Sequence, residues 1–205
     1  MKIAVVGGTG DFGLALAERL VEAGVDVVVG SRDAARAAEK AETIGARGAA
    51  NEDAVRGVDL VVLAVKSDAA LPTAEGLAGA IGDTPVLSVA SELRFTKQGV
   101  FPTDEARSIA ERTQELLHGP VCAGLHSLAA ASLAHGPAEG DALVCGDDAD
   151  AKALALELAA RVVTGRALDA GPLASARALE GVTAVIVNLN KRYKGHAGLH
   201  VTGLP

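Results

Sequence analysis

The sequence predicts an α/β protein built on a doubly wound parallel sheet with a small C-terminal α/β extension. Three observations predict it. A short apolar run, Lys2 to Val6, opens onto a glycine cluster and then an amphipathic helix. A second apolar run, Val25 to Val29, closes that unit, and the whole spans about 30 residues, the length of one parallel βαβ unit. The alternation of continuous apolar strands with helices then continues, as in a parallel sheet covered on both faces.

The elements follow in order. Lys2 to Val6 is apolar and β-branched, and reads as a strand. Phe12 to Ala23 has apolar residues at Phe12, Leu16, Leu20 and Ala23, a helical spacing that Gly24 terminates. Val25 to Val29 is a buried strand, Ala34 to Ile44 an amphipathic helix and Asn51 to Val55 a short helix. Leu60 to Val65 and Pro85 to Val89 are strands on either side of a helix from Ala69 to Ile81. Phe95 to Asp104, with Lys97, Gly99 and Pro102, reads as a loop and a conceivable lid. Ala106 to Leu117 is helical, while Val121 to Leu125 and Ala142 to Cys145 are strands. Asp147-Asp148 starts a helix over Asp150 to Val162, and Ala174 to Asn188 is the last long helix, with a broad apolar face. Residues 1–117 form the nucleotide-binding unit and 118–205 a distinct C-terminal portion.

Composition narrows the function. The chain has 205 residues, enough to bury a real core, and is 49% hydrophobic and 22% charged, the profile of a soluble globular protein. A net charge of −7, 2% aromatic residues and no basic run longer than Lys191-Arg192 argue against nucleic acid and anionic membranes. There is no apolar run long enough to span a bilayer and no signal-peptide pattern, so a cytoplasmic protein is expected. Cys122 and Cys145 lack zinc-site spacing and read as reduced, buried thiols, and no metal site is expected.

The central motif is Gly7-Gly8-Thr9-Gly10-Asp11-Phe12-Gly13, set between strand and helix. Gly8, Gly10 and Gly13 match G-x-G-x-x-G: one glycine for the tight turn, one for close approach of a pyrophosphate, one for helix–strand packing. The free amides at the helix start then face phosphates, aided by the helix dipole. This is the Rossmann-type arrangement. At the end of the next strand, where an acidic residue would grip NAD ribose hydroxyls, stand Gly30-Ser31-Arg32, with Arg36 one turn on. A hydroxyl and two guanidinium groups spaced i, i+4 suit the 2′-phosphate of NADP.

With Gly7-Gly8-Thr9-Gly10 and Gly30-Ser31-Arg32, the chain resembles the NADPH-dependent reductases of the deazaflavin coenzyme F420 (F420H2:NADP+ oxidoreductases). Cys145-Gly146-Asp147-Asp148 and Leu168-Asp169-Ala170-Gly171-Pro172-Leu173 are similar to stretches in that family's C-terminal half, and Asn188 to Gly198 is similar to its actinobacterial branch. The resemblance implies direct hydride transfer between NADP(H) and F420 stacked face to face, with no protein nucleophile. It implies that Gly8, Thr9, Gly10, Asp11, Phe12, Gly13, Ser31, Arg32 and Arg36 hold NADP, and that Ser67, Leu93 and Ala130 are further nucleotide contacts. It also places His126, in Leu125-His126-Ser127-Leu128, near the stacked rings. His126 then orients the deazaflavin or a loop, or serves equally well as a satisfied structural residue. Lys194 and His196 are candidates to meet an anionic tail or a partner subunit, and a homodimer is expected.

Two segments depart from the family. Lys66-Ser67 stands where Pro-Trp is common, and Ala90-Ser91-Glu92 where Asn-Pro is common. Both lie at strand carboxyl ends, where the nicotinamide and the hydride acceptor meet. Two other readings therefore stand beside hydride exchange with F420: an NADPH- or F420-dependent reductase of a small carbonyl or imine, and a non-catalytic NADP-binding regulator.

Overall fold

Residues 1–204 of the computed structural model are described here; Pro205, the last residue of the predicted C-terminal portion, lies outside them. The chain begins β1 (Lys2–Val6), α1 (Asp11–Glu22), β2 (Asp26–Ser31), α2 (Ala34–Glu42), β3 (Arg47–Ala50), α3 (Asn51–Ala54), β4 (Leu60–Leu63), α4 (Ser67–Ile81), β5 (Val86–Ser88). It continues β6 (Leu93–Phe95), β7 (Val100–Pro102), α5 (Ile109–Gln114), β8 (Val121–Gly124), α6 (Ala130–Leu133), β9 (Ala142–Gly146), α7 (Ala149–Ala160), β10 (Ala167–Asp169), α8 (Ala176–Tyr193).

Eight strands form one sheet in the order β10-β9-β8-β5-β4-β1-β2-β3. The chain winds outward from β1 through β2 to β3, then returns to β4 on the other side of β1. That reversal leaves a crevice beyond the carboxyl ends of β1 and β4, the place where such sheets bind ligands. The residues of β1 alternate between two cores. Ile3 and Val5 pack with Leu16, Leu20 and Leu158, while Ala4 and Val6 pack with Leu63, Ile81 and Leu179. Helices therefore cover both faces, as the continuous apolar strands predict. The sheet runs across the 117/118 position: β8, β9 and β10 extend the same layer.

The structure corrects the sequence reading in several places. The sheet is not wholly parallel: β8 and β9 run antiparallel, with Ala123 opposite Cys145. The segment expected to be a loop forms a β6–β7 hairpin, in which Phe95 pairs with Val100. Asn188 of α8 clamps it, accepting from the Val100 amide at 2.8 Å and donating to the Val100 carbonyl at 2.7 Å. The short strands β3 and β10 were not foreseen, nor was α6, and α8 runs on to Tyr193. Cys122 and Cys145 are free and buried, and burial pushes their thiols up to about 12 and about 11. Among the described residues, no helix is long and apolar enough to cross a membrane, and no His/Cys/Asp/Glu group is arranged to hold a metal.

Candidate functional site

The glycine loop places its residues by three different constraints. Gly7 takes the turn itself, at φ 79°, and a Cβ there would lie 2.6 Å from the Ala64 carbonyl. The tight turn thus falls on Gly7, one residue before the position the motif suggests. Gly8 is needed for closeness: a Cβ would meet the Val5 carbonyl at 2.7 Å and Val29 Cγ1 at 3.0 Å. Gly13 brings α1 onto the loop, since a Cβ there would lie 2.6 Å from the Gly7 carbonyl. Gly10 differs from all three. Its only close neighbour is the Gly7 carbonyl at 3.4 Å, an ordinary contact. The protein itself leaves the space above Gly10 open. Gly10 also caps α1 without a side-chain bond, so the first-turn amides are offered to that space.

Two clefts meet there. The first, about 540 Å³, is lined by Thr9, Gly10, Ser31, Arg32 and Arg36, together with Asn51, Asp68 and Thr73. Ser31 is buried and its oxygen accepts from the Asp33 amide at 3.2 Å, which leaves the hydroxyl proton free to donate. The Asp33 carboxylate in turn caps α2 through the Arg36 amide at 3.1 Å, so both arginines stand at a fixed helix start. Neither Arg32 nor Arg36 pairs with a carboxylate among the described residues, and the same is true of Lys66. In a chain of net charge −7, this is a local reserve of positive charge.

The second cleft, about 430 Å³, is mostly apolar. Its walls include Phe12, Val89, Leu93, Phe95, Leu125, Leu128 and Val187, with Asp11, Gly13, Ser67, Ala130 and Thr183. The two clefts share Gly10, Ala64, Val65 and Lys66 and so form one trough. Every residue predicted from sequence to hold NADP or lie near the rings lines this trough except Gly8, which is buried beneath it. Lys194 and His196, offered for an anionic tail or a partner, line neither cleft. Sequence reasoning did not find Asn51, whose buried Oδ1 has no partner among the described residues, nor Thr183 and Val187 of α8. The apolar face of α8 signalled a packed helix but not what it packs on.

His126 lies in the wall of the second cleft and is 5% exposed. Its Nε2 lies 3.3 Å from the Ala90 carbonyl, and its buried Nδ1 has no partner among the described residues. Burial holds the imidazole down to about 4, so it is neutral at physiological pH. Leu125 before it is a buried leucine at φ 63°, a conformation that costs on the order of 1 kcal/mol. The His126 carbonyl accepts from the Thr183 hydroxyl at 2.8 Å, and Thr183 lies 2.8 Å from Ser91 Oγ.

The departure residues Ser91 and Glu92 are parts of this scaffold. The Glu92 carboxylate takes Arg112 at 2.6 Å, and its amide donates to Glu180 at 3.3 Å. Glu180 is 1% exposed and also accepts from the Ile109 amide at 2.7 Å and from Arg177 at 2.8 Å. Desolvation raises its pKa, against the pull of these donors.

The trough fits a dinucleotide with a second flat ring. It has an anion-binding helix start over an open glycine, cations at one end and an apolar slot at the other. Comparison with known proteins agrees. Residues 2–92 match the family model described as NADP oxidoreductase, coenzyme F420-dependent. The chain is 34% identical to the F420-dependent NADP reductase of Methanothermobacter thermautotrophicus, over 100% of this chain and 96% of the relative. It is 33% identical to the enzyme of the same name from Methanocaldococcus jannaschii, over 100% of this chain and 99% of the relative. A crystal structure from Arthrobacter sp. FB24 shares the fold, with a TM-score of 0.81 over 96% of both chains at 24% identity.

Proposed function

This chain belongs to the family of F420-dependent NADP reductases, and we infer that it exchanges a hydride between NADPH and the deazaflavin coenzyme F420. The observation that carries the reading is the single trough, polar and cationic at one end and apolar at the other, joined across Gly10 and Lys66. The bound cofactors supply the redox chemistry themselves. The protein's work is positioning and electrostatics.

The roles assigned to residues are our proposal. Ser31, Arg32 and Arg36 take the 2′-phosphate. The amides of Thr9 and of Asp11 to Gly13 take the pyrophosphate, over Gly10, whose own amide donates to the Gly7 carbonyl, while Gly8 keeps the loop against β1 and β2. Ser67, Leu93 and Ala130 line the slot for the rings. His126 is an orienting residue: with Nε2–H donated to the Ala90 carbonyl, the buried, neutral imidazole fixes the cleft wall against which the rings lie. Residues 1–117 supply the NADP half of the trough, and the C-terminal portion completes the half for the second cofactor. The chain works as a cytoplasmic homodimer. An exposed apolar stripe on α8, Val185, Leu189 and Tyr193 at i, i+4 and i+8, supports self-association.

Mixing the protein with NADPH and oxidised F420, and following the deazaflavin absorbance band, tests the function. Bleaching that depends on both is expected. Turnover of a carbonyl or imine with NADPH alone would overturn it. Sedimentation of Leu189→Asp beside wild type tests the dimer, with a shift to monomer expected.

A further inference from the structure

The cleft-facing stripe of α8 does not end inside the trough. Thr183 and Val187 line the apolar cleft, and the next residue at the same spacing is Lys191. Lys191 is exposed, and its Nζ stands 5.4 Å from the centroid of the Phe95 ring. Phe95 also lines the cleft and yet is 67% exposed. The two side chains therefore form an outer lip, one from the hairpin and one from the helix. Asn188 pins these elements together one turn earlier, through both backbone groups of Val100. Among the described residues no carboxylate pairs with Lys191. Lys194 follows three residues on, at the end of α8.

A cation at the lip of an apolar slot has nothing to do for the ring inside. It suits an anion attached to that ring. Coenzyme F420 carries such anions: its ring bears a ribityl arm that ends in a phosphodiester and glutamate carboxylates. The 2′-phosphate end of the trough, by contrast, has its own cations in Arg32 and Arg36.

We propose that the Lys191–Phe95 lip is a subsite for the anionic arm of the deazaflavin substrate, with the ammonium meeting the charge and the Phe95 ring holding the lysine in place. The proposal rests on the hydride-exchange reading. It makes Lys191 a specificity residue for the second substrate and leaves NADPH untouched.

The test is equilibrium binding, read by quenching of deazaflavin fluorescence, with no NADPH and no turnover. Three ligands are titrated into wild type, Lys191→Gln and Lys191→Arg: F420 with its glutamates, F420 stripped to the phosphodiester, and the bare ribityl deazaflavin. Lys191→Gln is expected to weaken the charged ligands by about fivefold, the scale of an exposed charge pair, and to leave the ribityl compound unchanged. Lys191→Arg retains tight binding, and added salt erases the difference between wild type and Lys191→Gln. A loss confined to the glutamylated form makes the carboxylates the partner; a loss in both charged forms makes it the phosphodiester. Equal losses for all three ligands, or none, would overturn the subsite. Wild-type protein that binds NADPH but no deazaflavin would overturn the hydride-exchange reading itself, and this subsite with it.

Discussion

His126 Nε2 lies 3.3 Å from the Ala90 carbonyl oxygen, and this contact sets the tautomer of a buried imidazole. A carbonyl only accepts, so Nε2 carries the proton and Nδ1 keeps its lone pair. The contact also joins the segment after β5 to the segment after β8, across the floor of the apolar cleft.

Acid stability should follow from that burial. His126 has an ordinary value of 6.5 and is held down to about 4 in the fold. Between those values the unfolded chain binds the proton and the folded chain does not. Stability therefore falls as pH drops from 6.5 towards 4, by up to about 3 kcal/mol. Melting temperatures of wild type and His126→Asn across pH 7 to 4.5 test this. The gap between them should shift in favour of the variant as the pH falls. A gap independent of pH would show that His126 takes up its proton in the fold as readily as in the unfolded chain.

The glycine loop separates binding from folding. Gly10→Val should fold with a near-native melting temperature, because a Cβ there meets only the Gly7 carbonyl at 3.4 Å. It should lose NADPH binding, because its side chain would fill the open space above Gly10 proposed for the pyrophosphate. Gly13→Val should instead fail to fold stably, since its Cβ would lie 2.6 Å from backbone. Thermal melts with and without NADPH distinguish the two. Wild-type affinity in Gly10→Val would refute the loop's role.

Glu180 carries the scaffold behind the cleft. It is fully enclosed and accepts from the Ile109 and Glu92 amides and from Arg177. Glu180→Ala strands all three donors, one of them charged, and is expected to cost about 3–5 kcal/mol. Urea unfolding should show the midpoint moving down with its slope unchanged. A loss under 1 kcal/mol, the scale of a surface pair, would mean that water replaces the carboxylate.

What was legible in the sequence was whatever local pattern decides. β1, α1 and β2 have continuous apolar runs, a helical spacing and a glycine terminator. Ser31, Arg32 and Arg36 sit at a fixed offset from that unit. What was illegible depends on distant partners. β3 contains Gly48 and two alanines and becomes a strand by pairing with β2, with α2 packed so closely that a Cβ on Gly48 would lie 2.2 Å from the Ala37 carbonyl. The β6–β7 hairpin reads as a loop because Lys97, Gly99 and Pro102 are turn and edge residues. What holds it is Asn188, some 88 positions away. The antiparallel run of β9 has no local signature, since orientation belongs to the path between strands. Of the departure residues, Ala90 and Ser91 do line the apolar cleft, while Glu92 does not and is tied to α8 and α5. That Ser91 also reaches Thr183 of α8 could not be read locally.

The two kinds of cation in the trough should separate by ligand. Arg32 lines only the polar cleft, while Lys66, like Gly10, lines both. If Arg32 meets the 2′-phosphate, Arg32→Ala weakens NADPH by about 1.5–3 kcal/mol, the range for losing a charged hydrogen bond. It should weaken adenosine 2′,5′-bisphosphate as much and leave NADH unchanged. Lys66 follows β4 and pairs with no carboxylate among the described residues, and the anion proposed for it is the pyrophosphate. Lys66→Met should therefore weaken NADPH and NADH alike, by up to about 1 kcal/mol for an exposed charge, and spare the adenosine fragment. Calorimetric titration of the three ligands into both variants gives the pattern directly. Loss of the fragment in Lys66→Met would move that lysine to the 2′-phosphate, and loss of NADH in Arg32→Ala would move the arginine away from it.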